Sequence, residues 1–207
     1  SCEVGGKLLD KKNNIIIDKC MLYYEELFTD IIMGSDNENS VLYINNKILS
    51  ANTFAKEGEY IISYTYSENE STSKIYNKEG KEVKTGSITY FINNNIYKEY
   101  NKDNQTFYFT NNKLEKISPE FEYIECPYNN YCNVSDTNYN KTLYRNGKKI
   151  TSNIYDKIIV KENYIVATTV FNTYIYLLGT NPEININTKE ELDINTNEII
   201  DKYELKS

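Results

Sequence analysis

Apolar and aromatic residues fall in short runs along the chain, and polar stretches rich in asparagine, lysine and glutamate separate these runs. Residues 60–66, 87–92 and 164–170 are examples, and each is rich in isoleucine, valine, tyrosine or threonine. Such residues suit a pleated, half-buried surface. Short runs with regularly spaced turns between them predict an all-β protein.

One phrase recurs at the turns between these runs. Its clearest copy is residues 143–150, LYRNGKKI, in which Asn146-Gly147 separates two short strands. An Asn-Gly pair favours a type I′ hairpin because both central positions of that turn need a positive φ. Related phrases begin at Leu9, Tyr43, Tyr76, Tyr108 and Tyr176.

The copies of this phrase are evenly spaced. From Leu9 through Tyr43, Tyr76, Tyr108, Tyr144 and Tyr176, the intervals are 34, 33, 32, 36 and 32 residues. A chance scatter of asparagines would not place an aromatic residue or a leucine before each turn at a steady period. The chain is therefore predicted to hold six β-repeats of about 34 residues in a single domain over residues 1–207.

Six repeats of about four short strands each predict a small six-bladed β-propeller, because propellers consist of four-stranded blades around a channel. The strand-like segment 199–205 would complete the first blade and close the ring. An open β-solenoid or a pair of stacked sheets is the alternative. Two segments also have local helical character: residues 21–28, which occupy the place of strands in other repeats, and the stretch from Glu190 to Asp193.

The phrase Tyr-x-Asn-Gly-Lys-x-Ile, followed by Tyr-Asp-x-Ile and a second apolar strand, resembles the bacterial WG-type repeat. The match is best over residues 143–170 and holds in outline elsewhere. The chain contains no tryptophan, so the Trp-Gly pair of that family is absent. The resemblance implies a β-rich repeat protein, often secreted or on the cell surface, with no catalytic residues to carry over.

Four cysteines permit two disulfides. Cys126 and Cys132 flank a short stretch with proline and two asparagines, which suits a small loop closed by a disulfide. A zinc site is one rival, although the chain has neither a Cys-x-x-Cys motif nor a histidine. Two buried free thiols are the other rival. If Cys126 pairs with Cys132, Cys2 and Cys20 are left to pair across the first hairpin.

The formal net charge is −7, and acidic and basic residues are interspersed. Nucleic-acid binding requires a basic face, and anionic membranes repel an acidic surface, so both partners are disfavoured. No run approaches the ~20 apolar residues of a membrane span. Cys2 resembles the lipid-modified cysteine of bacterial lipoproteins, with an ordinary cysteine as the alternative. Together with the paired cysteines, it predicts an exported or cell-surface protein.

The chain contains no histidine, so the usual general base and the Ser-His and Cys-His pairs are missing. Candidate acid/base carboxylates are Glu25, Glu26, Glu190, Glu191 and Asp193. A glycosidase needs two carboxyl groups that face each other across a substrate, whereas adjacent carboxylates on a strand point to opposite faces. No phosphate-loop, calcium-loop or metal-ligand motif occurs. We therefore expect no cofactor and no metal, and a carboxylate-based glycoside hydrolase is the least favoured function.

Tyrosine occurs 21 times. Alternating tyrosines such as Tyr60, Tyr64 and Tyr66, or Tyr174 and Tyr176, place their rings on one face of a strand. Either these rings fill a β core in place of other aromatic residues, or they line a recognition surface, since tyrosine combines a large contact area with a polar tip.

The longest repeat runs from Tyr108 to Tyr144, and insertions in repeats usually map to loops on a binding face. Its cysteine-flanked loop is the predicted binding site, with Pro127, Tyr128, Asn129, Asn130 and Tyr131. The chain is expected to be a non-catalytic scaffold that binds another protein, because repeat folds offer broad, rigid surfaces. A lectin-like module that binds glycans is the alternative.

Overall fold

The computed structural model describes residues 2–93, 96–128, 131–162, 164–171, 173–177 and 190–191. Throughout these residues the regular secondary structure is β-strand, which confirms the all-β prediction. No segment of this described part is a helix long and apolar enough to cross a membrane.

Six sheets follow one another along the described chain. The first consists of β1 (Gly6–Leu9) and β2 (Ile15–Met21). The second consists of β3 (Tyr23–Phe28), β4 (Ile31–Ser35), β5 (Ser40–Ile44) and β6 (Lys47–Ala51). The third consists of β7 (Thr53–Glu57), β8 (Tyr60–Tyr66), β9 (Ser71–Tyr76) and β10 (Glu82–Thr85).

The fourth sheet consists of β11 (Ile88–Asn93), β12 (Ile96–Asn101) and β13 (Thr106–Thr110). The fifth consists of β14 (Tyr123–Glu125), β15 (Tyr131–Ser135), β16 (Lys141–Arg145) and β17 (Lys148–Lys149). The sixth consists of β18 (Lys157–Val160), β19 (Tyr164–Thr168), β20 (Thr173–Leu177) and β21 (Glu190–Glu191). Strands are neighbours in chain order within every sheet.

The recurring phrase forms hairpins, as predicted. It joins β5 to β6, β9 to β10 and β16 to β17, the third and fourth strands of their sheets. At two of these turns both central residues have a positive φ: Asn45 (48°) and Asn46 (59°), and Asn146 (51°) and Gly147 (72°). This is the type I′ geometry, whose twist matches that of the flanking strands.

A second type of turn depends on an Asp or Asn at its first position. The Oδ1 atoms of Asp10, Asn111 and Asp136 each accept hydrogen bonds from the backbone N–H groups two and four residues later. The fourth residue of each turn is left-handed: Asn13 (64°), Leu114 (61°) and Tyr139 (63°). Here the first side chain stabilises a type I turn that ends in a left-handed residue.

The chain divides into two compact units. Unit 1 comprises residues 1–91 and 99–102, and unit 2 comprises residues 92–98 and 103–207, so the division passes through β11 and β12. The core of unit 1 includes the fully buried Leu42, Ile44 and Ile61. The core of unit 2 is more aromatic and includes Phe109 and Tyr155. Each such buried side chain contributes roughly 1.5–3 kcal/mol. The single domain over 1–207 stays a prediction.

Both predicted disulfides are present. Cys2 and Cys20 are bonded with their Cα atoms 5.7 Å apart, and Cys126 and Cys132 with theirs 4.2 Å apart. The zinc and free-thiol alternatives are therefore wrong. Because the sulfur of Cys2 lies in a disulfide, it cannot also carry a lipid thioether, and the structure speaks against the predicted anchor. Two disulfides indicate an oxidising environment.

Two further predictions concern the helical segments and the chain end. Residues 23–28 form strand β3, as their place in the repeat predicted. The helical expectation for Glu190 and Glu191 is wrong, because these two residues pair with β20 as β21. Asp193 and the segment 199–205 lie outside the described residues.

Candidate functional site

The predicted binding loop lies between β14 and β15. Pro127 and Tyr128 are exposed, Tyr128 at 48%, and Asn129 and Asn130 lie outside the described residues. The Cys126–Cys132 disulfide closes the loop at its base. Binding by Tyr128 stays a prediction.

Tyr131 does not belong to this surface, and its place in the predicted binding site is corrected. It is the first residue of β15 and is 1% exposed, within the core cluster of Leu143 and Tyr155. The guanidinium of Arg145, its partner across the strands, lies 5.3 Å from the centre of the Tyr131 ring. Tyr131 is therefore a core residue.

Some of the alternating tyrosines fill the core, and others lie at the surface. Tyr176 is buried in unit 2, where its hydroxyl lies 2.8 Å from that of Tyr155. Its ring is stacked on that of Tyr174, with centroids 6.4 Å apart. Burial raises the pKa of Tyr176, and the hydrogen bond with Tyr155 raises it further. These rings fill a core, whereas the tyrosines of β8 lie at a surface.

In β8, Tyr64 is half-buried and Tyr66 is 58% exposed. Tyr64 pairs with Thr53 of β7, and Tyr60 pairs with Glu57 at the other end of the same ladder. Directly paired residues and residues two apart share a face of a sheet. The side chains of Glu57, Tyr60, Tyr64 and Tyr66 therefore lie on one face.

Strand β11 brings more aromatic residues to Glu57. The Oε2 atom of Glu57 accepts a hydrogen bond of 2.8 Å from the backbone N–H of Phe91. Tyr90 is 39% exposed and Phe91 is 43% exposed. Nearby, the Ser73 hydroxyl donates to the carbonyl of Ser87, the residue before β11, at 2.9 Å. We call Glu57, Tyr64, Tyr66, Tyr90 and Tyr100 the tyrosine cluster; all five belong to unit 1.

Glu57 acts electrostatically on the phenols of this cluster. Burial raises the pKa of Tyr64 to about 12, with added effects of Tyr90, Glu57 and Tyr66. Burial is also the main cause that raises the pKa of Tyr90, and the charges of Glu57 and Tyr100 raise it further. Both phenols therefore stay neutral hydrogen-bond donors at neutral pH. The cluster combines aromatic rings, hydroxyl donors and one carboxylate.

A separate cleft of about 400 Å³ also lies in unit 1, at the turns that follow β3, β5 and β9. Its lining includes Phe28, Asp30, Asn45, Lys78 and Glu79. The amide of Asn45 donates to the carbonyl of Glu79 at 3.3 Å. The ammonium groups of two lysines approach the Phe28 ring: Lys56 at 4.3 Å and Lys78 at 4.7 Å. We call this the Phe28 cleft.

The candidate acid/base carboxylates are not arranged as a catalytic pair. Glu25 and Glu26 are exposed neighbours on β3, where they point to opposite faces. Glu26 Oε1 accepts a hydrogen bond from the backbone N–H of Asp30 at 3.2 Å. The side chains of Glu190 and Glu191 lie outside the description. In the described part of the chain, no group of three acidic or cysteine side chains is placed to hold a metal ion.

Sequence reasoning missed Glu57, Tyr90, Phe91 and Tyr100. The usable signal is the repeat, because Glu57 and Phe91 are 34 residues apart. That is the length of one repeat, so equivalent positions in successive repeats were candidates for contact. The alternation of apolar and polar residues within each strand does not indicate that these residues come together.

No protein-family model matches this chain, and no curated protein matches it either. Among solved structures, the chain is similar to one described as "AfRom2 CNH domain", with 16% identity over 90% of this chain and 74% of that chain, at a TM-score of 0.33. It is also similar to the "WD40 beta propeller domain of Doa1", with 11% identity over 82% of this chain and 81% of that chain, at a TM-score of 0.26. Likenesses this weak assign no function.

Proposed function

We propose that this protein is a non-catalytic module that binds another protein through the tyrosine cluster. The observation that carries this proposal is a surface with the exposed Tyr66 and Tyr90 and the half-buried Tyr64, in which the carboxylate of Glu57 acts on Tyr64 and Tyr90. Exposed aromatic patches with polar groups at their rim mark interaction sites on soluble proteins. Tyrosine is also enriched among the residues that dominate binding energy at protein interfaces.

A rigid framework supports this surface. Glu57, Tyr64 and Tyr66 lie on strands of a four-stranded sheet, not on long loops. Rings held on strands lose little conformational entropy when a partner binds.

The same framework leads us to propose that the six sheets are the blades of one six-bladed propeller. Small-angle scattering tests this, since a compact chain of this length has a radius of gyration of about 17 Å.

We also propose that the protein works outside the cytoplasm, at a cell surface or after secretion. The two disulfides support this location, because disulfides persist in oxidising compartments. Peptide mapping without reduction, on protein isolated from its natural host, tests it. Reduced cysteines in that material would count against the proposed location.

Selection from a displayed library of random peptides tests the binding function. Peptides enriched on the wild-type protein should bind a Tyr66→Ser, Tyr90→Ser variant at least tenfold more weakly, because loss of an aromatic anchor removes a dominant contact. Tyr139→Ser is the matched control, since Tyr139 is 75% exposed in a turn of unit 2. Equal binding to all three proteins would refute the proposed surface.

Glycan binding is the second candidate, and the Phe28 cleft favours it. The carboxylates of Asp30 and Glu79 only accept hydrogen bonds, while Lys78 only donates them. A sugar hydroxyl both donates and accepts, so it can bridge such groups above an aromatic ring. A glycan array signal that Asp30→Ala removes and Tyr66→Ser preserves would assign this function. Without any glycan signal, this candidate is dropped.

A further inference from the structure

Glu57 has no cationic partner in the described part of the chain. Its side chain is half-buried, and the one hydrogen bond described for it is the neutral bond from the Phe91 backbone to Oε2. None of the described ion pairs includes it. A carboxylate that has lost part of its hydration is stabilised when a cation pairs with it. The second oxygen of Glu57 is therefore available to a ligand.

Lysines of the neighbouring strands are engaged elsewhere. The ammonium of Lys84 pairs with the buried Glu99 at 2.5 Å, and that of Lys74 pairs with Glu82 at 3.1 Å. Lys102 donates to the carbonyl of Ser71 at 3.0 Å. Each of these lysines satisfies another acceptor, so no cation in the described part of the chain pairs with the carboxylate of Glu57.

The rings around Glu57 favour the same type of ligand. The face of a tyrosine ring carries negative potential and attracts an ammonium or guanidinium group. The charge of Glu57 contributes to the raised pKa of both Tyr64 and Tyr90. The negative potential that opposes ionisation of these phenols also stabilises a cation bound beside them. The net charge of −7 further speeds the approach of a basic partner.

We infer that the tyrosine cluster holds a basic side chain of the partner, with its cationic group on Glu57 and its aliphatic stem against the rings of Tyr64 and Tyr90. The inference rests on the proposed function, because it specifies the chemistry of the partner at the same surface. Arginine fits this site well, since its planar guanidinium can stack on a ring while it donates to a carboxylate.

A pair of peptides tests the charge requirement. One is acetyl-Gly-Gly-Arg-Gly-Gly-amide, and the other contains citrulline, the neutral analogue of arginine, at the same place. Each is titrated into protein with ¹³C-labelled tyrosine, and the ring resonances are followed by NMR. We expect the arginine peptide to shift the resonances of Tyr64 and Tyr90 and to bind at least fivefold more tightly than the citrulline peptide.

Glu57→Gln should bring the arginine-to-citrulline ratio close to one. Glutamine keeps an acceptor for the Phe91 N–H, so this variant should fold normally. Glu68→Gln is the matched control, because it removes an equal charge from an exposed turn that follows β8. Equal affinity for both peptides, an unchanged ratio in Glu57→Gln, or an equal loss in Glu68→Gln would overturn the inference. If both peptides bind equally at the cluster, the proposed surface stands and only the charge preference fails.

Discussion

The Oε2 atom of Glu57 and the backbone nitrogen of Phe91 lie 2.8 Å apart across a separation of 34 residues. The hydrogen bond from Asn45 to the Glu79 carbonyl spans the same 34 residues. Since one repeat is about 34 residues long, each bond links a residue to the corresponding region of the next repeat. Both candidate sites, the tyrosine cluster and the Phe28 cleft, therefore arise from contacts between successive repeats.

Replacing Glu57 tests how far this bond stabilises unit 1. Glu57→Ala leaves the Phe91 N–H without its acceptor and should lower the free energy of unfolding by about 1 kcal/mol. Glu57→Gln should stay within about 0.5 kcal/mol of wild type, because its amide oxygen still accepts. Urea denaturation measures both values, and equal stabilities of the two variants would show that the bond contributes nothing.

The type I′ turns predict that one substitution destabilises the fold and another does not. Gly147→Ala should destabilise by roughly 1–2 kcal/mol, because a side chain is strained at a φ of 72°. The added Cβ would also lie 2.7 Å from Cδ1 of Ile117. Asn46→Gly, at a φ of 59°, should be close to neutral. Thermal unfolding of both variants provides the comparison, and a neutral Gly147→Ala would contradict the assigned turn.

Glu120 should contribute a pH-dependent part of the stability of unit 2. The ammonium of Lys116, 3.0 Å away, and the side chains of Asn104 and Thr106 hold the pKa of Glu120 down at about 2. A carboxyl group whose pKa is lower in the folded state stabilises the fold above its unfolded pKa of about 4.3. This contribution is lost as the pH falls from about 4.5 to about 2.

Glu120→Gln should therefore be less stable than wild type at pH 6 and equally stable near pH 2. Melting temperatures from pH 2 to 6 measure the convergence. Glu122→Gln, at an exposed position two residues further on, should keep the wild-type pH dependence. Parallel curves for Glu120→Gln and wild type would disprove the role of this carboxylate.

Much of the fold followed from local pattern. The Asn-Gly pair at residues 146–147 predicted a type I′ hairpin, and the structure has both positive φ values there. At Asn111-Asn112 the same interpretation places the turn wrongly, because Asn111 caps a longer turn and Leu114 takes the left-handed position. Composition alone cannot distinguish an asparagine that adopts a positive φ from one that caps.

The candidate site was harder to predict from the sequence, because burial decides the role of each tyrosine. Tyr128 and Tyr131 lie near each other in one loop sequence, yet Tyr128 is exposed and Tyr131 is a core residue. Tyr66 and Tyr176 belong to similar alternating patterns and differ in the same way. Packing between strands distant in sequence sets these differences. The resemblance to WG-type repeats stays a prediction.

Photocrosslinking of the selected peptide tests the proposed binding surface most directly. The photoreactive residue p-benzoylphenylalanine would replace Tyr66 in the tyrosine cluster, Tyr128 in the disulfide loop, or Tyr139 in an exposed turn of unit 2, one position at a time. We predict that the peptide is captured at position 66 and at neither of the others. Capture at position 128 with none at 66 would contradict binding by the tyrosine cluster and favour the disulfide loop.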